Sequence, residues 1–209
     1  TIDGADTLAD GDLTLEGQLI IQSLEDTDSE ALTVTATGDI NIREAIVIKA
    51  SHTGAVVFNA GTANVASALV FTGGVTLTEL GTGLATLNNL NVGIVTGDIA
   101  SSADDTGTLI AGAAQTYLGN VGVTGGFNLD EVQTDAATTF NGIVNAKLID
   151  IDAATTITGA STFTTATVAA NSTLTGAVTA ATSITAAADV VLTFASDVNV
   201  GTTGLILTH

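Results

Sequence analysis

Short runs in which apolar and polar residues alternate recur along the whole chain. They include Leu13-Thr14-Leu15, Leu32-Thr33-Val34-Thr35, Ile40-Asn41-Ile42, Val75-Thr76-Leu77-Thr78, Leu148-Ile149-Asp150-Ile151-Asp152 and Asp197-Val198-Asn199-Val200. A period of two, with Gly, Asn or Asp between the runs, is the pattern of half-buried strands. Candidate helix is confined to the Ala-rich pieces around 111–115 and 179–188, neither of them amphipathic over two turns. The pattern predicts an all-β chain.

The punctuation between runs selects among β architectures. Gly-Gly at 73–74 and 125–126, Asn-Gly at 141–142 and Asp-Gly at 3–4 and 10–11 are hairpin signals. Most turns, however, are a single Gly or small residue after a short strand, which suits a coiled stack of short parallel strands. In the C-terminal third, Ile157, Phe163, Val168, Leu174, Val178, Ile184 and Val190 recur at intervals of mostly five or six with small residues between them. One inward apolar side chain per short strand is what a solenoid face requires. The favoured fold is a parallel β-solenoid (β-helix) with about 20 residues per coil. An antiparallel β-sandwich or jelly roll with strand exchange is the alternative. Residues 1–209 read as a single all-β domain, with an acidic segment over 1–30 and a Thr/Ala-rich, repeat-like segment over 153–200.

Composition narrows the function. Of 209 residues, 38 are Thr and 33 Ala, while Lys, Arg, Gln and Glu are scarce, which favours strand over helix. The net charge is −19, and Arg43, Lys49 and Lys147 are the only cationic side chains apart from histidine, too few to neutralise a phosphate track. Nucleic acid is excluded as a partner, and an anionic membrane surface is disfavoured. Without cysteine there is no disulfide, thiolate or Cys-ligated zinc chemistry. No basic, apolar leader opens the sequence and no apolar run reaches the roughly 18 residues of a membrane helix. A soluble or surface-assembled protein without a transmembrane segment is expected.

Residues 31–60, ALTVTATGDINIREAIVIKASHTGAVVFNA, resemble the degenerate repeats of filamentous-haemagglutinin-type exoproteins and autotransporter passengers. In those repeats a strand, a Gly-Asp or Gly-Asn corner and a second apolar strand recur. Residues 189–208, DVVLTFASDVNVGTTGLILT, read similarly. The resemblance covers about half the chain, is compositional, and implies a parallel β-helix on a bacterial surface acting as adhesin or fibre. The composition also resembles surface-layer and extracellular filament proteins, which are acidic, Cys-free and often calcium-dependent. Neither resemblance assigns a functional residue.

Carboxylates are unevenly placed, and the stretch from Thr1 to Glu30 holds nine of the 22. Carboxylates grouped with Gly and backbone carbonyls suit hard cations, Ca²⁺ above all. The candidate ligands are Asp3, Asp6, Asp10 and Asp12, the pair Asp26 and Asp28, the pair Asp104 and Asp105, and Asp150 with Asp152, which share one side of a strand. None forms an EF-hand loop. The competing reading is a solvated acidic surface that keeps the protein soluble.

Catalysis finds little support. The histidines are His52 and His209, Ser51 and His52 point apart on an extended chain, and no G-x-S-x-G elbow is present. A polysaccharide-cleaving β-helix with Asp104 and Asp105 as acid and base would need sugar-stacking aromatics, and Tyr117 with six Phe offers few. No enzyme is expected. The pairs Thr156/Thr158, Thr162/Thr164 and Thr173/Thr175 suggest an ice-binding face, but their intervals of six and eleven are irregular, so Thr reads as solvent-face filler. Asn171-Ser172-Thr173 is a lone glycosylation sequon.

The segment from Thr203 to His209 reads as a bare apolar strand with no cap, which must pair with something. Together these features predict an extracellular, cell-surface structural subunit that self-assembles by strand pairing into a filament, fibre or layer. Its partners are copies of itself, and a cell-surface glycan is a candidate partner. A monomeric module binding glycan or ice is the alternative.

Overall fold

A computed structural model shows the chain wound into a parallel β-solenoid, with no helix among the described residues. Before residue 93 the structure describes strand segments, with side chains at Val75, Leu77, Leu87, Asn88 and Asn89; beyond it, 93–101, 103–122 and 128–207 are described.

The strands run β1 (Asp6–Thr7), β2 (Leu13–Leu15), β3 (Leu19–Ile21), β4 (Leu32–Ala36), β5 (Ile40–Ile42), β6 (Ile46–Lys49), β7 (Val56–Ala60) and β8 (Leu69–Phe71). There follow β9 (Val75–Thr78), β10 (Thr86–Asn89), β11 (Gly93–Thr96), β12 (Ile99–Ser101), β13 (Thr108–Ala111), β14 (Gln115–Tyr117), β15 (Leu129–Thr134) and β16 (Thr138–Phe140). The last are β17 (Val144–Ile151), β18 (Thr155–Ile157), β19 (Ser161–Val168), β20 (Ser172–Leu174), β21 (Val178–Ala186), β22 (Leu192–Phe194), β23 (Val198–Val200) and β24 (Gly204–Leu207). Every pairing among them is parallel and joins equivalent strands of successive coils, so the antiparallel sandwich does not form.

Three faces result. Face A stacks β1, β4, β7, β10, β13 and β15, then the second halves of β17, β19 and β21, and ends at β24. Face B is a nine-stranded sheet running from β2 through β5, β8, β11, β14, β16, β18 and β20 to β22. Face C stacks β3, β6, β9 and β12, passes through the bridges Ile99–Val121 and Val121–Val144, and continues in the first halves of β17, β19 and β21 to β23.

The coils are not uniform in length. On face B the register runs Leu13–Ile40–Leu69 through the longest coils, then Gly93–Gln115–Thr138, then Thr138–Thr155–Ser172 through the shortest, and the step from Ser172 to Leu192 is longer again. The last shortening has a local cause. Val121 and Leu129 are eight positions apart in sequence, whereas their partners Val144 and Ala146 are two apart, and β17 and β19 each pass from face C to face A within a single eight-residue strand.

Alternation fills the interior. β19, STFTTATV, alternates inward and outward, with Ser161, Phe163, Ala166 and Val168 buried. Inward residues stack in files, such as Leu87–Leu109–Val132–Ile149–Ala166–Ile184 on face A and Val95–Tyr117–Phe140–Ile157–Leu174 on face B. Within the latter the Tyr117 and Phe140 rings stack 5.0 Å apart. Of the apolar set expected to point inward, Ile157, Phe163, Val168, Leu174, Val178 and Ile184 are buried, and Val190 packs against the core from a corner. Their close, regular interval is one apolar anchor per face of a short, three-faced coil.

A few buried polar groups punctuate this core. Asn89 Nδ2 donates to the Tyr117 hydroxyl at 3.0 Å, and burial pushes the Tyr117 phenol well above its ordinary pKa. The Thr134 and Thr155 hydroxyls meet at 3.0 Å.

The corner between faces B and C carries a file of glycines. A Cβ on Gly119, Gly142, Gly159 or Gly176 would sit under 3.0 Å from the carbonyl oxygen of the glycine one coil earlier, respectively Gly97, Gly119, Gly142 and Gly159. Each glycine therefore lets the next coil descend to ladder distance. Beside it, Asp98 Oδ1 accepts from Asn120 N at 2.8 Å and Asn120 Oδ1 from Ile143 N at 3.1 Å, tying three coils together. Gly159→Ala should force two coils apart at this corner and lower stability by about 1–3 kcal/mol, whereas Ala160→Ser at the neighbouring exposed position should be near neutral; urea unfolding of both variants checks the contrast.

Candidate functional site

Three features stand out on the outside of the solenoid: the carboxylates, the outer surface of face B and the last rung. The carboxylates disperse. Among the candidate ligands, Asp3, Asp10, Asp12, Asp26 and Asp28 lie outside the described residues, and Asp6 is described only as backbone in β1. Asp104 and Asp105 occupy the exposed turn between β12 and β13, where Asp104 Oδ1 accepts from Asn128 N at 3.0 Å and Asp105 has φ 55°. Asp150 on β17 and Asp152 just past its end flank the buried Ile151, Asp150 accepting from the Thr167 hydroxyl. Among the described residues no three His, Asp or Glu side chains converge to hold a metal ion.

Two carboxylates with charged neighbours, Asp130 and Glu131, were not singled out in the sequence. Asp130 pairs with Lys147 at 2.8 Å across adjacent coils, an exposed contact that also holds the Lys147 ammonium above its ordinary pKa. Glu131, half-buried on β15, has its pKa raised by burial first and then by Asp150 and Asp130. These contacts depend on which coil stacks on which, and so are invisible to spacing alone.

Face B has a different character. Its strands read GIVT, QTY, TTF, TTI, STL and LTF from β11 to β22, without one charged residue in a chain of net charge −19. The first and third residues of β14, β16, β18 and β20 point inward and the middle residue outward. Consecutive pairings Thr116–Thr139, Thr139–Thr156, Thr156–Thr173 and Thr173–Thr193 therefore build an outward threonine ladder over five rungs. Beside the ladder run Ala114, Ala137, Ala154, Asn171 and Val191, and together they line a shallow trough of about 690 Å³.

The sequence holds a signal for this face that pairwise T-x-T spacing obscured. Ala113-Ala114-Gln115-Thr116-Tyr117-Leu118-Gly119 recurs as Ala136-Ala137-Thr138-Thr139-Phe140-Asn141-Gly142, as Ala153-Ala154-Thr155-Thr156-Ile157-Thr158-Gly159 and as Ala170-Asn171-Ser172-Thr173-Leu174-Thr175-Gly176. These positions have structural assignments. The Thr138, Thr155 and Ser172 hydroxyls donate back to the carbonyls of Ala136, Ala153 and Ala170, closing the corner; the next Thr faces out, the following residue faces in, and the Gly admits the next coil. Thr156/Thr158 and Thr173/Thr175 are thus one coil apart and stack in register, while Thr162/Thr164 belongs to β19 on another side of the molecule. The irregular interval came from mixing two faces. The sequon residue Asn171 is exposed at the trough's edge, where its Oδ1 accepts from Val191 N at 2.7 Å.

The last described rung is β22, β23 and β24. Leu205 and Leu207 continue the inward files of Ile184 and Ala186, which are 1% exposed, yet they are 47% and 55% exposed. Val198, in file with the buried Val178, is 39% exposed. β24 pairs with β21 on one edge, and among the described residues nothing pairs with the other.

Compared with protein-family models, curated proteins and solved structures, the chain matches none.

The environment of Glu131 makes stability pH-dependent in a defined direction. Its raised pKa means that the folded state binds the proton more tightly than the unfolded state, so stability is lost as pH rises from the ordinary carboxylate value through the raised one. Glu131→Gln should therefore raise the thermal midpoint at neutral pH and lose that advantage in acid, where Glu131 is protonated in both states; thermal unfolding at the two pH values measures it.

Proposed function

We propose that this chain is a structural subunit at the cell surface or outside the cell, which self-assembles end to end by β-rung pairing into a fibre, filament or layer with an adhesive role. The observation that carries the reading is the ladder itself: each interior rung is hydrogen-bonded and covered by rungs of the same kind, and the last described strands present Leu205, Leu207 and Val198 in the register of such a contact. A rung of the same kind from a second copy supplies both the ladder hydrogen bonds and the apolar cover that each interior coil receives from its neighbour. Such a contact is heterologous and continues into a polymer. The net charge of −19 works in the same direction, since like charge on the sides opposes lateral clumping.

The resemblance of residues 31–60 and 189–208 to haemagglutinin-type and autotransporter repeats, and of the composition to surface-layer proteins, supports an extracellular setting. Calcium enters this reading as a bridge between copies, through exposed carboxylates such as Asp104, Asp105 and Asp152.

Negative-stain microscopy of the purified chain tests it. Filaments or sheets of regular repeat are expected, and the double variant Leu205→Asp, Leu207→Asp should give dispersed particles, because each change trades roughly 1.5–3 kcal/mol of apolar burial for a buried charge. Dissolution of the assemblies by EDTA would make calcium part of the contact. Dispersed monomer-sized particles from the native chain, with and without Ca²⁺, would overturn the reading.

A further inference from the structure

We propose that the outer surface of face B binds ice, its ligand being the crystalline water lattice. This surface is a lateral one and does not rest on the end-to-end assembly proposed above.

Regularity is the first argument. Thr116, Thr139, Thr156, Thr173 and Thr193 are direct ladder partners on successive rungs. Parallel stacking sets them ~4.8 Å apart along the axis, and the β-branched side chain is stiff at χ1. Thr158 and Thr175 lie two positions on along their chains, on the same side. They flank the ladder on two of its rungs, while the other rungs hold Leu118, Asn141 and Ala195 at that position. Methyls and hydroxyls therefore repeat along the axis at a spacing comparable to that between oxygen rows on a face of ice.

Availability is the second. The Thr134, Thr138 and Thr155 hydroxyls are spent on partners within the protein. The outward ladder threonines have no side-chain hydrogen bond to another described residue. Each hydroxyl is left to water, while its methyl restricts how that water is held. The trough of about 690 Å³ that runs beside the ladder is open to water along its rungs.

Neutrality decides the class of ligand. The described carboxylates stand at corners and on the other faces, Asp98, Asp135 and Asp152 at the ends of face B strands and Asp130, Glu131 and Asp150 on face A. An ion holds its own hydration shell and competes with a lattice; this face carries none, matching an uncharged ligand. A neutral polysaccharide is the other uncharged candidate, but Tyr117 and Phe140 of these rungs face inward and offer no ring for a sugar to stack on.

Slow growth of an ice front through a solution of the purified chain, together with measurement of freezing hysteresis, tests the proposal. The native chain is expected to be concentrated in the ice and to show hysteresis. Thr139→Tyr and Thr156→Tyr, each raising a bulky ring from a different rung of the ladder, should be excluded from ice, whereas Thr162→Tyr, exposed on β19, should be incorporated as the native chain is. Circular dichroism confirms strand content in each variant. Exclusion of the native chain from ice overturns the proposal, and retention on insoluble neutral polysaccharide in that case assigns the trough to a glycan. Equal loss in Thr162→Tyr also overturns it, because face B would then have no special part.

Discussion

Parallel pairing between successive coils is the interaction on which everything else in this molecule depends. A strand as short as QTY or TTI has no independent stability; it exists because the coils on either side supply its hydrogen bonds and cover its inward side chains. The ladder also imposes register, so a residue type that repeats at one position of the coil becomes a continuous file in space. The apolar files make the core, the glycine file makes a corner, and the threonine file makes a face. Each is one position of the coil repeated along the axis.

The general architecture was legible in the sequence because its signals are local. Short alternation, single-residue corners and the inward set from Ile157 to Ile184 need little context on either side. Coil length was not legible, because it depends on how many residues pass between faces C and A. Val121 and Leu129 lie eight positions apart while their partners Val144 and Ala146 lie two apart inside one strand, and no local pattern announces that difference. Without that length, Thr162 could not be separated from Thr156 and Thr173, and a regular ladder looked irregular. The repeat that first runs from Ala113 to Gly119 was present to be read. Its copies open at Ala113, Ala136, Ala153 and Ala170, which are unevenly spaced, and a search for one fixed period passes over them.

Charge follows the same geometry. Coil corners and the turn between β12 and β13 carry Asp98, Asp104, Asp105, Asp135 and Asp152, where a carboxylate can accept from a backbone N–H or stay in water. The face B strands β14, β16, β18, β20 and β22 have one outward position each, filled by Thr, and a carboxylate there would break the file. The pairing of Asp130 with Lys147, and the pressure of Asp130 and Asp150 on Glu131, arise because face A has longer strands with several outward positions. Clusters of Asp along the sequence, by contrast, said little about where carboxylates meet.

The glycine file has a consequence for how such a chain can change over generations. Each glycine answers to the coil before it and prepares the place of the coil after it, so the unit that can be gained or lost is a whole coil. Inserting one residue in β18 would turn its inward and outward sides over and break every file it belongs to. Duplicating or deleting the single coil that runs from Ile143 to Gly159 would leave all files continuous and merely alter the length of the rod. Recombination between the similar stretches that encode these coils produces that kind of change, so rod length is a quantity this architecture can vary in steps while its surfaces stay as they are.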